Sequence, residues 1–321
     1  MVAGRWIAAA ALAACAVGGA AAQNYPVRPI RFIIPFTPGG NTDVLGRILA
    51  QKMTESFGQQ VVIDNRPGAG GTLGVEQTAR ATPDGYTIVM GTFGGVLVAN
   101  SLYTNLGYDP QRDLAPVALV SAPPGLLVVN PGVPVKSVQE LITYARANDG
   151  KLNYGSSGAG TWNHLFGELF NAMAKTRITH IPYKGAAPAT TDLIGGQIQV
   201  MFSPFPPTLP HMKANRLRAL GVSTAKRSGL LPDIPTVAES GLPGYAAEGW
   251  FAVLAPAKTP QPVIDKLNAE LNRALQLPDV KASLAADGAE PAGGTPQELA
   301  KSIRDGSQKW GKLIKELGVK L

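Results

Sequence analysis

FIIPFTPGGNTDVLGRIL, residues 32–49, changes its periodicity half-way along. Residues 30–36 (IRFIIPF) are rich in apolar and β-branched side chains and read as a buried strand. Beyond them Val44, Leu45, Ile48, Leu49 and Met53 recur at helical spacing, and the pattern stops at Gly58. The join between the two, Thr37-Pro38-Gly39-Gly40-Asn41-Thr42-Asp43, holds paired glycines and several helix-capping residues. LNYGSSGAGTWNHLFGEL, residues 152–169, follows the same plan of strand, glycine-rich turn, threonine and amphipathic helix. Two such units place two helix N-termini at the carboxyl edges of two sheets, where open α/β sheets bind ligands.

The remaining chain continues the alternation. Strands are expected at 61–63, 86–90, 117–120, 126–129, 178–182, 198–202, 217–222 and 250–254. Helices are expected near 73–80, from a capping box at Ser137 and Glu140 through 147, over 162–174, over 262–275, and from Thr295, Pro296 and Glu298 through 317. Short strands alternating with amphipathic stretches predict an α/β fold with largely parallel sheets. Pro123-Pro124-Gly125, between two strands, is a natural hinge.

Residues 1–22 read as a secretory signal peptide. Arg5 is the only charge before Ala22, residues 6–17 form an apolar run of twelve, and Ala20-Ala21-Ala22 offers a cleavage site. Twelve residues fall short of the ~20 a membrane-spanning helix needs. Leu12-Ala13-Ala14-Cys15 resembles a lipid-attachment site, but the apolar run continues past Cys15, which favours cleavage after Ala22. Cys15 is the only cysteine, so the mature chain is expected to have neither disulfides nor thiolate chemistry. Its length is enough for two lobes, each standing on its own core. Twenty-nine basic against 22 acidic residues give a net charge of +7. The basic residues are scattered, with Arg216-Leu217-Arg218 and Lys226-Arg227 the densest spots, and so lack the stripe a nucleic-acid surface requires.

The glycine-rich turns carry the chemistry. Paired glycines let a backbone approach a ligand closely, and a helix start offers unpaired N–H groups and a positive dipole end. A carboxylate can be held there without an arginine. The plainer reading, a tight turn with Thr42 or Asp43 as N-cap, remains open at Gly39-Gly40. Gly155-Ser156-Ser157-Gly158-Ala159-Gly160-Thr161 offers the same donors with three hydroxyls, or is simply a flexible turn. It fits neither a nucleophile elbow nor a dinucleotide fingerprint, and the chain has no P-loop. His164, His180 and His211 lack metal-ligand spacing, so no metal or cofactor is expected. His164 and Glu168 are four apart on one helix and read as a pair that orients the loop. Phe36, Phe93, Trp162, Tyr183, Phe202 and Trp250 cluster near these turns, one or two as pocket walls and the rest as core.

Taken in order, YPVRPIRFIIPFTPGGNTD, VVIDNRPGAGGTLG, TPDGYTIVMGT, LNYGSSGAGTWNHLFGELF, HIPYKGAAPATTDLIGGQIQVMF, LRALGVST, IPTVAESGLPGY and GWFAVLAPAKTP are a pattern that covers residues 25–321. The chain resembles the Bug-type extracytoplasmic solute receptors of the tripartite tricarboxylate transporter system. That resemblance implies a type II-like periplasmic binding-protein fold, with lobe 1 built from 25–120 and 225–321 and lobe 2 from 121–224. It implies a monomer, not an enzyme, that binds a small carboxylic acid (a di- or tricarboxylate, an aromatic acid or an acidic amino acid) and hands it to membrane permease subunits. Carried onto this chain, the ligand loops are Phe36, Thr37, Gly39, Gly40, Thr42 and Asp43 facing Ser156, Ser157, Gly158, Gly160, Thr161 and His164. Thr92, Phe93, Gly94, Tyr183, Lys184, Phe202, Ser203 and Trp250 follow as secondary segments. A diacid bridging the two loops would reward closure. Two rivals stand beside this reading: a sensor that docks on a kinase using the same switch, and a periplasmic hydrolase, for which no nucleophile–base pair is evident.

Overall fold

A computed structural model describes residues 25–286 and 288–319. The expected signal peptide and Cys15 lie outside the described residues. The strands are β1 (Ile30–Ile34), β2 (Val61–Asn65), β3 (Thr87–Thr92), β4 (Leu114–Ser121), β5 (Leu126–Val129), β6 (Asn153–Ser156), β7 (Thr179–Pro182), β8 (Val200–Ser203), β9 (Arg218–Val222) and β10 (Phe251–Pro256). The helices are α1 (Asn41–Phe57), α2 (Thr72–Ala79), α3 (Ala99–Leu102), α4 (Val138–Ala147), α5 (Trp162–Ala174), α6 (Ala186–Ile194), α7 (Phe205–Lys213), α8 (Gln261–Leu275), α9 (Pro278–Ala286) and α10 (Pro296–Leu317).

They form two lobes, each around a five-stranded sheet, in the orders β2-β1-β3-β10-β4 and β7-β6-β8-β5-β9. The sheets are built alike. β1 pairs in parallel with β2 and β3, and β6 with β7 and β8. Beside each parallel trio lies an antiparallel strand from a distant part of the chain, β10 in the first sheet and β5 in the second. The sheets are therefore mixed rather than largely parallel. βα alternation along the chain reveals the parallel trios; β5 and β10 enter straight from the segments that cross between the sheets, with no helix to set their direction.

Those crossings run side by side. Pro124 pairs with Glu248 in an antiparallel bridge, and the Gly249 N–H donates to the Pro123 carbonyl at 2.7 Å. Next to them the Ser223 hydroxyl donates to Ala247 O (2.6 Å) and accepts from the Gly125 N–H (2.8 Å). The segment after β9 stays with the second sheet: Thr236 bridges to Val222, and Tyr245 stacks on Phe202 with ring centroids 5.7 Å apart. Phe32, Ile34, Leu45 and Leu49 of the first unit are fully or almost fully buried, as the sequence periodicity requires. Burying such a side chain contributes about 1.5–3 kcal/mol.

Candidate functional site

Three helices begin on the wall of one chamber. Its lining includes Gly40, Thr161 and Gly185, the residues that precede α1, α5 and α6. No side chain caps any of these three starts. By contrast Ser137 and Thr295 cap α4 and α10, which start elsewhere, through bonds from the N–H groups of Glu140 and Glu298. Helix α8, also remote, has no cap either, so a missing cap is not diagnostic alone. A second observation points the same way. Thr92, at the end of β3 and 3% exposed, lines the chamber, and its Oγ1 has no hydrogen-bond partner. A buried hydroxyl left unpaired costs about 1–3 kcal/mol unless a ligand or water meets it. All these groups sit just beyond the carboxyl ends of β1, β3, β6 and β7.

The chamber holds about 220 Å³. Thr37, Asn41, Thr42, Thr92, Ser157 and Thr161 give it polar side chains, and Phe36, Phe93, Trp162 and Phe251 give it rings. Its lining contains no charged residue.

Behind the first turn, Asp43 acts as a buried clamp. Its carboxylate accepts from the Gly39 N–H (3.0 Å), Arg47 Nε (2.9 Å) and Asn65 Nδ2 (2.8 Å). Asn65 Nδ2 also reaches the Phe36 carbonyl at 3.0 Å, so both ends of the turn are tied to one carboxylate–amide pair. Burial works to raise the Asp43 pKa, but the bonds from Arg47, Gly39 and Asn65 outweigh it and hold the group below the usual carboxylate value. Gly39 has φ +86°, a conformation open to glycine at little cost.

Behind the second turn stands Asn163, fully buried on α5. Its Nδ2 donates to Ser157 Oγ (2.8 Å), and its Oδ1 accepts from the Thr161 hydroxyl (2.6 Å). Gly160 N–H donates to His164 Nδ1 at 3.1 Å, which places the His164 proton on Nε2, 3.9 Å from Glu168. His164 stacks on His180 at 3.9 Å, and His180 in turn on Tyr154 at 4.9 Å. Desolvation lowers His164 to about 4; desolvation and the neighbouring His164 lower His180 to about 3. Both rings are neutral near pH 7. Ser156 Oγ lies 2.6 Å from His180 Nε2, a nucleophile–base distance. Ser156 is fully buried, however, and its hydroxyl also accepts from the Gly158 N–H (3.1 Å), so it braces the turn.

The structure thus brings Phe36, Thr37, Gly39, Gly40, Thr42, Thr92, Phe93, Gly94, Ser157 and Thr161 together on the chamber wall. Gly158, Tyr183 and Lys184 line a second, outer chamber of about 640 Å³ that shares Phe36, Thr37 and Ser157 with the first. Asp43, Ser156, Gly160 and His164 lie behind the walls. Phe202, Ser203 and Trp250 are not brought to either chamber. Phe202 packs edge-on against Phe166, the Ser203 hydroxyl meets Thr208, and Trp250 Nε1 donates to Ser302 Oγ at 3.4 Å. Sequence reasoning missed Asn65, Asn163 and the Ala186–Pro188 start of α6. Gly185 before an alanine-rich helical stretch was the available signal for the last; the two asparagines carried none.

Two α/β lobes joined by crossing segments, with a small chamber at the carboxyl edges of their parallel strands, define a periplasmic binding-protein fold. Within that class the chain belongs to the family described as tripartite tricarboxylate transporter family receptor, which matches residues 45–319. It is 40% identical over 321 residues to Protein BugT of Bordetella pertussis, covering 100% of this chain and 97% of that protein. Among solved structures, the periplasmic binding protein BugD is similar at TM-score 0.87 and 36% identity, covering 92% of this chain and 100% of BugD. R. palustris Rpa4515 with adipate is similar at TM-score 0.88 and 39% identity, again covering 92% and 100%. MatC (Rpa3494) from Rhodopseudomonas palustris, with bound malate, is similar at TM-score 0.85 and 33% identity, covering 90% of this chain and 100% of MatC.

Proposed function

We propose that this receptor works outside the cytoplasm, closes its lobes on a small carboxylic acid in the 220 Å³ chamber, and delivers it to the permease of a tripartite tricarboxylate transporter. The supporting observation is the convergence of three uncapped helix starts and the unpartnered Thr92 hydroxyl on one cation-free chamber. Each helix start presents about half a positive charge plus free N–H donors. The bound adipate and malate of the related receptors favour the same chemistry. The lobes are assigned to 25–120 with 225–321, and to 121–224; the pairing of Thr236 with Val222 draws the return crossing toward Gly249. Burial of Ser156 supports a binding role over hydrolysis.

A thermal-shift screen over organic acids tests this reading. An acid at 100 times its dissociation constant adds about 2.7 kcal/mol of stability. If no carboxylic acid raises the melting temperature, the reading fails. Turnover of a carboxylic ester by the purified protein would point to the hydrolase instead.

A further inference from the structure

We infer that the acid held in the inner chamber is a small monocarboxylic acid with an apolar body, and that the diacid of the same skeleton binds less tightly. This rests on the carboxylate reading above and narrows it. The polar side chains on the wall, Thr37, Asn41, Thr42, Thr92, Ser157 and Thr161, are all neutral. The rest is largely ring and methyl surface, with Phe36, Phe93, Trp162 and Phe251 joined by Pro38, Pro188 and Pro204. About 220 Å³ is below the roughly 300–1,000 Å³ of sites for drug-sized ligands, so the occupant is compact.

One carboxylate is well served by this wall, because the starts of α1, α5 and α6 offer N–H groups and Thr92 offers a free hydroxyl. A second carboxylate on a compact body would face the rings without a counter-charge, and an unpaired charge is costly to bury. The nearest buried ion makes this worse. Asp43 is itself an anion, directly behind the Gly39 N–H, and its arginine partner Arg47 lies on the far side from the chamber lining. The one cation at the site, Lys184, borders the outer chamber and not the inner one.

Calorimetry on the full mature protein with matched pairs tests the inference: benzoate against terephthalate, hexanoate against adipate, butyrate against succinate. The monoacid is expected to bind at least tenfold more tightly within the pair that fits best. A diacid that equals or beats its monoacid overturns the inference but leaves the carboxylate reading intact. If none of these acids nor any other carboxylate binds, both fall. A complementary variant is Ala187→Arg, at an exposed position on the chamber wall in the first turn of α6. Supplying the missing cation there should raise diacid affinity at least tenfold relative to the monoacid. Unchanged diacid affinity in a folded Ala187→Arg protein would show that lack of a counter-charge is not the limit, and would overturn the inference.

Discussion

Asn163 does for the second turn what Asp43 does for the first. Both hold a glycine-rich loop from behind, so that the loop's own N–H groups stay free for a ligand. Asn163→Ala should therefore leave the Ser157 and Thr161 hydroxyls seeking new partners inside a buried site, at about 1–3 kcal/mol. The expected result is a lower melting temperature and a loss of about tenfold or more in affinity for the bound acid. Lys184→Ala, on the outer chamber, should cost only a few-fold, because its charge acts at long range; a larger loss than for Asn163→Ala would mean that Lys184 grips the ligand. The stacked histidines make a separate prediction. Unfolded histidine titrates near 6.5, whereas His164 and His180 in the fold take up protons only near 4 and 3. Between those values the unfolded state binds more protons, so stability falls as pH drops from about 6.5 toward 4 and is level above 6.5. The lowered carboxyl pKa values of Asp43 and Asp64 add their loss only below the ordinary aspartate value near 4. Each fully titrating group gives a slope of up to about 1.4 kcal/mol per pH unit. His180→Gln should flatten the chemical-denaturation profile between pH 6.5 and 4.5; an unchanged slope would rule these rings out as its source.

At the scale of elements, the Gly39–Gly40 pair separates into two different roles. Gly39 needs its positive φ, while Gly40 has φ −78° and ψ 165°, which any residue adopts. A Cβ on Gly40 would come no nearer than 3.9 Å to Thr37 O. Gly40→Val should thus fold with a melting temperature close to the parent's while its methyl groups occupy the start of α1, and ligand binding should be abolished. A Gly40→Val protein that binds normally would remove α1 from the site. Both βα units were legible because a strand pattern, a glycine turn and a helical pattern follow one another without interruption. Helix α7 was not. Its FPPTLPHMK carries three prolines, yet Pro206 and Pro207 fall in the first turn, where no N–H is required, and only Pro210 lies inside. The support behind each turn was also hidden. Asn65 sits 22 residues from Asp43 on a neighbouring strand, and His180 24 residues from Ser156, contacts that only the sheet order creates.

For the molecule as a whole, function depends on how closely the two lobes meet, and glycines set that distance. A Cβ on Gly94 would lie 2.7 Å from Gly70 O and 2.8 Å from Gly160 O, and one on Gly70 would lie 2.5 Å from Ala159 O. Gly70 and Gly94 belong to loops of the first lobe, Ala159 and Gly160 to the turn after β6 in the second. Backbone oxygens cannot swing aside as a flexible side chain can, so an added methyl must push the lobes apart. A ligand stabilises the closed arrangement only by binding it better than the open one. Any wedge that raises the free energy of the closed form therefore lowers apparent affinity by the same amount, even where it touches no ligand. Gly94→Ala places the wedge at the inner chamber, and Gly70→Ala places it outside, on the outer chamber, where direct contact with the acid is not at issue. Both variants should remain folded, with Gly70→Ala adding local strain of about 1 kcal/mol from its φ of +64°. Each should weaken binding by about tenfold or more and lose the ligand-induced decrease in radius of gyration that small-angle scattering would show for the parent. If Gly70→Ala binds and compacts as the parent does, the contact between Gly70 and Ala159 plays no part in closure.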